Sequence, residues 1–302
     1  MNNKRRLFST LLCVAALTAG LFVSGCGSDK AGGIGSVVSS VVDGGSDEKA
    51  AAKLNTLIDA TNNFNGDNAT WGQNYADSLA KLKGGFQEGA IGRQPHYDTL
   101  KEALEQSKKE GSTFKEVDTE RDNVLNVLNE LVPTFKDLKA YDDSKAYMND
   151  GGAKGKELAA KYVAQVEKFD AAYAKFNDAL NKANTEQTKK QIEKLKKDGK
   201  KGYAAAMEST LRLTTLVENV EKAPKNADKQ AVEKELNEIQ TLLKSINNDR
   251  GEVLVNSYNS VVGSVRQVLT DANENNLNDM IENFNNYIES YNNTTPDQFD
   301  SK

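Results

Sequence analysis

Apolar residues recur every three or four positions along most of this chain, and no other feature constrains its fold as strongly. That spacing places apolar side chains on one face of a helix and polar side chains on the opposite face. The clearest series are Leu236, Ile239, Leu243 and Ile246; Leu254, Tyr258, Val261, Val265 and Val268; and Leu277, Ile281, Phe284, Ile288 and Tyr291. Strict alternation, the pattern of a strand, is not sustained anywhere. The sequence therefore predicts an all-α fold over residues 48–295, an elongated bundle of long, coiled-coil-like helices.

The longest apolar series begins at Leu158 and reaches Leu195, and it predicts one helix over residues 153–197. At ~1.5 Å per residue, this helix would be about 68 Å long. The glycines that follow, Gly199 and Gly202, either end the helix or let it continue with a bend. Clusters of Asn, Asp and Gly predict turns between the other series, at residues 65–68, 149–152, 249–251 and 271–276.

The first 25 residues have the pattern of an export signal, with basic residues at 4–6 followed by an apolar stretch. The stretch ends in Val23-Ser24-Gly25-Cys26, which resembles the lipobox of bacterial lipoproteins. That resemblance implies cleavage before Cys26 and a diacylglyceryl group, with palmitate-type acyl chains, on its thiol. The alternatives are an ordinary signal peptide with a chance cysteine, or a single membrane span. Because the chain's other cysteine, Cys13, lies in the removed segment, a lipidated Cys26 leaves no thiol for a disulfide or a metal.

Residues 26–47 predict a lipidated cysteine followed by a flexible tether, since Gly and Ser dominate the segment. A lipid-bearing Cys26 would place the protein in the cell envelope, outside the cytoplasm and attached to a membrane. Gly27 stands where an aspartate would indicate inner-membrane retention, which favours the outer membrane in a cell that has one. The last residues, 296–302, are predicted to form a flexible tail.

Several local sequences in the body resemble the YiiG-like family of bacterial lipoproteins, whose domain has no assigned function. The resemblance covers about residues 50–293 and is clearest in Tyr141-Asp142-Asp143, Ala153-Lys154-Gly155-Lys156-Glu157-Leu158, Phe169-Asp170-Ala171-Ala172-Tyr173, Asp198-Gly199-Lys200 and residues 284–292. It implies a lipidated, all-helical envelope protein. It implies no activity, cofactor or catalytic residue.

The composition argues against catalysis and against nucleic acid as a partner. Acidic residues number 44 against 39 basic ones, and three of those bases lie in the export signal. An acidic chain does not attract a phosphate backbone. His96 is the only histidine, so a Ser-His-Asp or Cys-His site lacks partners, and no phosphate-binding or dinucleotide-binding motif occurs. We expect no enzyme activity and no cofactor, and we expect His96 to lie at a helix start or on the surface.

One segment has the residue spacing of a calcium-binding loop. Oxygen-bearing side chains occupy positions 1, 3, 5 and 12 of an EF-hand pattern: Asp271, Asn273, Asn275 and Glu282. Asn276 stands where that loop requires glycine. The other interpretation is a turn between two helices in which Asn276 caps the second helix.

Seven lysines between residues 189 and 201 form the strongest local concentration of charge. They form either a solvated helix face or a contact surface for anionic lipid or another envelope polyanion. For the second case the contact residues are Lys194, Lys196, Lys197 and Lys200. Taken together, the sequence predicts a membrane-anchored lipoprotein with a non-catalytic binding or scaffold role and an envelope protein or anionic lipid as partner. The alternative is an extracytoplasmic solute-binding or calcium-binding lipoprotein.

Overall fold

The computed structural model describes residues 47–92, 94–111 and 114–301. The predicted export signal, Cys26 and nearly all of the predicted tether lie outside these residues. Within them the regular elements are helices and none is a strand, which confirms the all-α fold. In chain order the helices are α1 Asp47–Lys83, α2 Tyr97–Lys109, α3 Lys115–Asp143, α4 Tyr147–Asp150, α5 Ala153–Lys197, α6 Lys201–Lys222, α7 Lys229–Lys244, α8 Asp249–Thr270, α9 Glu274–Asn292 and α10 Pro296–Phe299.

The chain divides into two compact units, and the first covers Lys49–Ala183. It contains most of α1, all of α2, α3 and α4, and residues 153–183 of α5. Its core consists of fully buried apolar side chains that include Leu57, Ile58, Leu104, Val124, Leu128, Val166 and Phe176. The periodic apolar residues of each helix thus supply the burial that stabilises this unit.

The second unit covers Asn184–Lys302 and contains residues 184–197 of α5 and helices α6 to α10. Helix α6 packs against α7, α8 and α9, and α8 packs against α7 and α9, so these four form a helical bundle. Its core includes Met207, Leu213, Val217, Ile239, Leu243, Leu254, Val265 and Met280. At the surface, the Arg212 guanidinium reaches Glu235 at 2.6 Å, and that of Arg266 reaches Glu233 at 2.7 Å.

Helix α5 has the bounds that the sequence predicts, Ala153–Lys197. It ends because Gly199 adopts a left-handed conformation with φ +78°, which a residue without Cβ adopts at little cost. The amide of Gly199 then donates to the carbonyl of Lys196 (3.3 Å), and that of Lys200 donates to the carbonyl of Leu195 (2.9 Å). This pair of bonds closes a helix end of the Schellman type. The alternative of a helix continuing through Gly199 is therefore wrong.

The turn predicted at residues 65–68 is wrong, because α1 is continuous from Asp47 to Lys83. Asn65 is buried, and its Oδ1 accepts a hydrogen bond of 2.9 Å from the hydroxyl of Tyr173 on α5. The ring of the preceding residue, Phe64, packs on the ring of Tyr173 with 5.3 Å between centroids. These contacts favour a helical backbone in a segment whose own preference is for a turn.

Two predictions near the C-terminus are also wrong. Residues 249–251 begin helix α8 instead of forming a turn, because Asn248 caps the helix by accepting hydrogen bonds from the amides of Arg250 and Gly251. The tail predicted for residues 296–302 is not free: residues 296–299 form α10, and Phe299 is 2% exposed. A single aromatic side chain with a large area to bury holds this segment on the second unit.

None of the described helices combines the length and the apolar composition that crossing a membrane requires.

Candidate functional site

The lysines at the end of α5 lie on the surface of the second unit. An open depression of about 470 Å³ is lined by Lys189, Lys190, Glu193, Lys194, Lys197 and Asp198. Of the four residues predicted to contact polyanions, the structure thus places Lys194 and Lys197 together in this depression. Lys189, Lys190 and Lys197 are exposed to solvent.

The other two predicted contact residues form ion pairs within the second unit. The Lys196 ammonium lies 2.8 Å from Glu208 of α6, and this hydrogen bond raises the pKa of Lys196. The Lys200 ammonium lies 3.6 Å from the carboxylate of Asp297. Pairing lowers the charge that Lys196 and Lys200 offer to an external anion, so the basic surface is smaller than the sequence indicates.

The residues of the calcium-like segment surround the start of α9. Asn273 caps this helix, because its Oδ1 accepts a hydrogen bond of 2.9 Å from the amide of Asn276. The prediction that Asn276 is the capping residue is therefore wrong by three positions. The side-chain amide of Asn273 donates a hydrogen bond of 2.7 Å to the carboxylate of Asp271. Asn275 and Glu282 lie within the helix itself. Among the described residues, no group of three or more His, Cys, Asp or Glu side chains is arranged to hold a metal ion.

His96 occupies the residue before α2, at the helix start that the sequence predicts for it.

A cluster of buried tyrosine hydroxyls lies inside the first unit, and sequence reasoning missed it. We call Tyr75, Tyr97 and Tyr162 the tyrosine cluster; they come from α1, α2 and α5. The hydroxyls of Tyr75 and Tyr97 are 2.8 Å apart and hydrogen-bonded, and that of Tyr162 donates to Oε1 of Gln94. Burial is the main reason why the pKa values of all three phenols are raised, so the hydroxyls stay protonated at neutral pH.

Ser78, together with Tyr162 of the cluster, holds residues 90, 92 and 94 between α1 and α2 in place. Ser78 of α1 donates a hydrogen bond of 2.7 Å to the carbonyl of Ala90 and accepts one of 2.9 Å from the amide of Gly92. Together with the bond from Tyr162 to Gln94, these bonds fix the segment at the carbonyl of Ala90, the amide of Gly92 and the side chain of Gln94. Buried hydroxyls thus satisfy backbone groups of a segment that has no regular structure of its own.

Asp170 of α5 is the titratable group beside this cluster, and its charge raises the pKa of each of the three tyrosines. Burial raises the pKa of Asp170 itself to about 6, against a smaller lowering by Lys83 and with a further increase from Glu167. The network can therefore offer neutral donors and acceptors, together with one carboxyl that changes protonation near pH 6. Nothing in the apolar spacing marks Asp170, because the tyrosines beside it come from three different helices.

The last residues fill a groove between three helices of the second unit. We call residues 296–301 the C-terminal segment and define the terminal groove by Gly202, Tyr203, Asn248 and Tyr291. The ring of Phe299 stacks on those of Tyr203 and Tyr291, with centroid distances of 5.9 and 6.0 Å. The amide of Gly202 donates a hydrogen bond of 2.7 Å to the carboxylate of Asp300.

Asn248 binds both the helix it caps and the C-terminal segment. Its Oδ1 accepts from amides at the start of α8, and its Nδ2 donates to the carbonyls of Gln298, Phe299 and Ser301 at 3.1, 3.1 and 3.0 Å. Gly202 is needed for the close approach, because a Cβ atom there would stand 2.0 Å from the carbonyl oxygen of Phe299. The groove thus recognises backbone, an aromatic ring and a carboxylate at once.

Comparison with known protein families shows which family the chain belongs to. The model of a family described as "Protein of unknown function (DUF3829)" matches residues 48–293. The chain belongs to this family. The match begins just after the predicted tether and ends before the C-terminal segment, so the family domain holds both units' helices α1 to α9. No curated protein and no solved structure matches the chain.

Proposed function

We propose that this DUF3829 protein is a bacterial envelope lipoprotein, anchored through lipid on Cys26, whose helical body works by binding and not by catalysis. Within its family we place it with the YiiG-like lipoproteins, on the residues that carry that resemblance. The boundary of the family match at residue 48 supports this arrangement, since the lipobox and the Gly/Ser-rich tether precede it. The body then faces the extracytoplasmic space, with the outer membrane favoured where one exists.

The observation that carries the binding role is how the described body divides its side chains. Its periodic apolar residues are buried in the cores of the two units. Among the large apolar side chains of the described residues, only Met148 and Val253 are prominently exposed. A surface without an apolar patch meets partners through charge and hydrogen bonds. The depression has four lysines against two acids, Glu193 and Asp198, and is the surface that we assign to an anionic partner, either lipid headgroups or an acidic envelope protein.

The anchor is tested by replacing Cys26 with serine. We expect Cys26→Ser to lose labelling by a radioactive fatty acid and to leave the membrane fraction as soluble or unprocessed protein. Recovery of the variant in washed membranes at the level of the unaltered protein would contradict the proposal.

The basic surface is tested with unlipidated protein and vesicles that contain anionic lipid. Reversal of Lys189, Lys190 and Lys197 to glutamate should abolish binding at low salt, because these lysines are exposed and line the depression. The binding should also weaken as salt is raised, since charges are screened beyond ~8 Å at physiological ionic strength.

A matched control changes the net charge equally on the same helix. Reversal of the exposed Lys161, Lys168 and Lys175 should leave most of the vesicle binding intact. Equal loss in both triple variants would show that only net charge matters, and the assignment of this surface would be wrong.

A further inference from the structure

We propose that the terminal groove is a peptide-recognition site, which the chain's own C-terminal segment fills in the free protein and which an acidic, phenylalanine-bearing segment of a protein partner fills in its place. The inference names the kind of partner for the binding role proposed above, and its biological relevance rests on that role. Its test concerns only the groove, so it can fail while the anchor and the basic surface stand.

The groove belongs to the family domain, whereas its occupant does not. Gly202, Tyr203, Asn248 and Tyr291 lie within the matched residues 48–293, and the C-terminal segment lies beyond them. Helix α9 ends at Asn292 and α10 begins at Pro296. The occupant therefore follows the domain after residues 293–295, and its departure interrupts no helix of the bundle.

The groove keeps its shape for reasons that do not involve the occupant. The Asn248 side chain is fixed by capping α8, so its amide nitrogen points at the carbonyls of whatever chain lies beside it. The amide of Gly202 stands in the first turn of α6, where helix amides lack partners within the helix and carry partial positive charge. Tyr203 and Tyr291 are carried by α6 and α9, two helices that pack directly against each other. A preformed site of this kind loses little entropy on binding.

The contacts define the ligand chemistry. Phe299 supplies the ring held between Tyr203 and Tyr291, and the Asp300 carboxylate binds the amide of Gly202. Lys200 lies beside the carboxylate of Asp297, three positions before Asp300, which extends the preference for acidic chains. A fitting peptide therefore carries Phe followed directly by Asp, with a second acid before the Phe.

The short connection of residues 293–295 determines how strongly the C-terminal segment competes with a free peptide for the terminal groove. A segment tethered by a few residues is present at an effective concentration of about millimolar, so a free peptide cannot displace it from the unaltered protein. A partner must therefore bind elsewhere as well, or the segment must be weakened or removed. We expect the C-terminal segment to act as a built-in competitor for the groove.

The experiment uses a fluorescent peptide with the sequence of residues 294–302 and the full-length protein purified in detergent. Fluorescence anisotropy should show binding to a chain truncated after Asn293, and to the full-length variant Phe299→Ala, in which the anchoring ring is missing. The unaltered protein should bind at least tenfold more weakly. A peptide carrying the same Phe299→Ala change should lose at least tenfold in affinity for the truncated chain.

Glycine variants supply the control for the groove itself. In the truncated chain Gly202→Ala should block the peptide, because the new Cβ would meet the peptide backbone at the position of the Phe299 carbonyl, 2.0 Å away. Gly263→Ala, where a Cβ meets nothing within 4 Å, should bind as before.

Three results would overturn the inference. One is failure of the peptide to bind both the truncated chain and full-length Phe299→Ala, the second variant covering the case in which truncation prevents folding. Another is equal binding of the Phe299→Ala peptide. The third is a dimer of the full-length protein in sedimentation that disappears with Phe299→Ala, because two copies would then exchange their C-terminal segments and no separate partner would be needed.

Discussion

Replacing Asp170 with asparagine removes a half-buried negative charge beside the tyrosine cluster while keeping the shape of the side chain. Burial is what raises the pKa of this carboxyl, and the neighbouring Lys83 offsets only part of the effect. In the folded protein the ionised form is therefore less favourable than in the unfolded chain, where water surrounds it. We expect Asp170→Asn to stabilise the first unit at neutral pH.

The size of the effect follows from the pKa. It rises from 3.8 to about 6, and since one pKa unit corresponds to about 1.4 kcal/mol, ionisation of Asp170 costs the folded state at most about 3 kcal/mol. Below pH 3.8 the carboxyl is protonated in both states and costs nothing. As the pH rises from 3.8 to about 6, the folded state holds the proton more tightly and stability falls; above about pH 6 the full cost remains.

Urea unfolding measured from acidic to neutral pH tests this expectation. Circular dichroism follows the loss of the helices, and the first unit is identified by the unfolding transition that Asp170→Asn shifts. The gain in unfolding free energy from Asp170→Asn should be near zero at about pH 3.5 and reach about 1–3 kcal/mol above about pH 7. Carboxyls whose pKa is lowered in the fold, such as Asp122 and Asp150, affect both proteins equally and cancel in the difference.

The control is Asp178→Asn, the same substitution at an exposed position on the same helix, which should change the unfolding free energy much less at neutral pH. The reasoning is refuted if Asp170→Asn is less stable than the unaltered protein at neutral pH. It is equally refuted if the difference between the two proteins is constant from acidic to neutral pH.

Two further substitutions test packing and capping. Gly155→Ala should destabilise the first unit by about 1–3 kcal/mol, because a Cβ would stand 2.6 Å from ring atoms of Phe86 and Tyr141; Gly263→Ala, with open space, should instead gain about 0.5–1 kcal/mol in thermal unfolding. Asp228→Ala should cost about 1 kcal/mol in urea unfolding, because this side chain caps α7 through two backbone amides, whereas Asp228→Asn should retain most of the stability. An unfolding free energy of Gly155→Ala equal to that of the unaltered protein would contradict the packing interpretation. A loss of stability in Asp228→Asn as large as that in Asp228→Ala would contradict the capping interpretation.

The sequence predicts the helices of this protein well wherever the signal is local. The bounds of α5 follow from an apolar series and from Gly199, whose left-handed conformation ends the helix whatever surrounds it. The same left-handed conformation, with φ +91°, occurs at Gly111 just beyond the end of α2. These features depend on backbone sterics and on side chains three or four positions apart, which a single sequence displays.

The errors occur where a distant part of the chain determines the structure. Residues 65–68 have the composition of a turn, yet Tyr173, 108 positions away, holds Asn65 within a helix. The C-terminal segment has the composition of a flexible tail, yet Phe299 finds two aromatic rings, and Asp300 meets the amide of Gly202, 98 positions away. No periodicity encodes such contacts.

The candidate sites divide in the same way. The concentration of lysines at the end of α5 is visible in the sequence, but the acids that pair with Lys196 and Lys200 come from α6 and from the C-terminal segment. Tyr75, Tyr97 and Tyr162 occupy ordinary core positions of their helices, and only the packing of three elements brings their hydroxyls together. The apolar spacing of the sequence therefore does not show which core residues form a buried polar network.

Burial of the phenols also sets an alkaline limit for the protein. Of its ten tyrosines nine are buried, and they belong to both units: Tyr75, Tyr97, Tyr141, Tyr162, Tyr173, Tyr203, Tyr258, Tyr287 and Tyr291. An unfolded chain releases these protons near pH 10, while the folded units keep them, so each step toward higher pH favours unfolding. Phenolate absorbance should consequently appear late and steeply in an alkaline titration, and it should report the opening of the units instead of the ionisation of individual side chains.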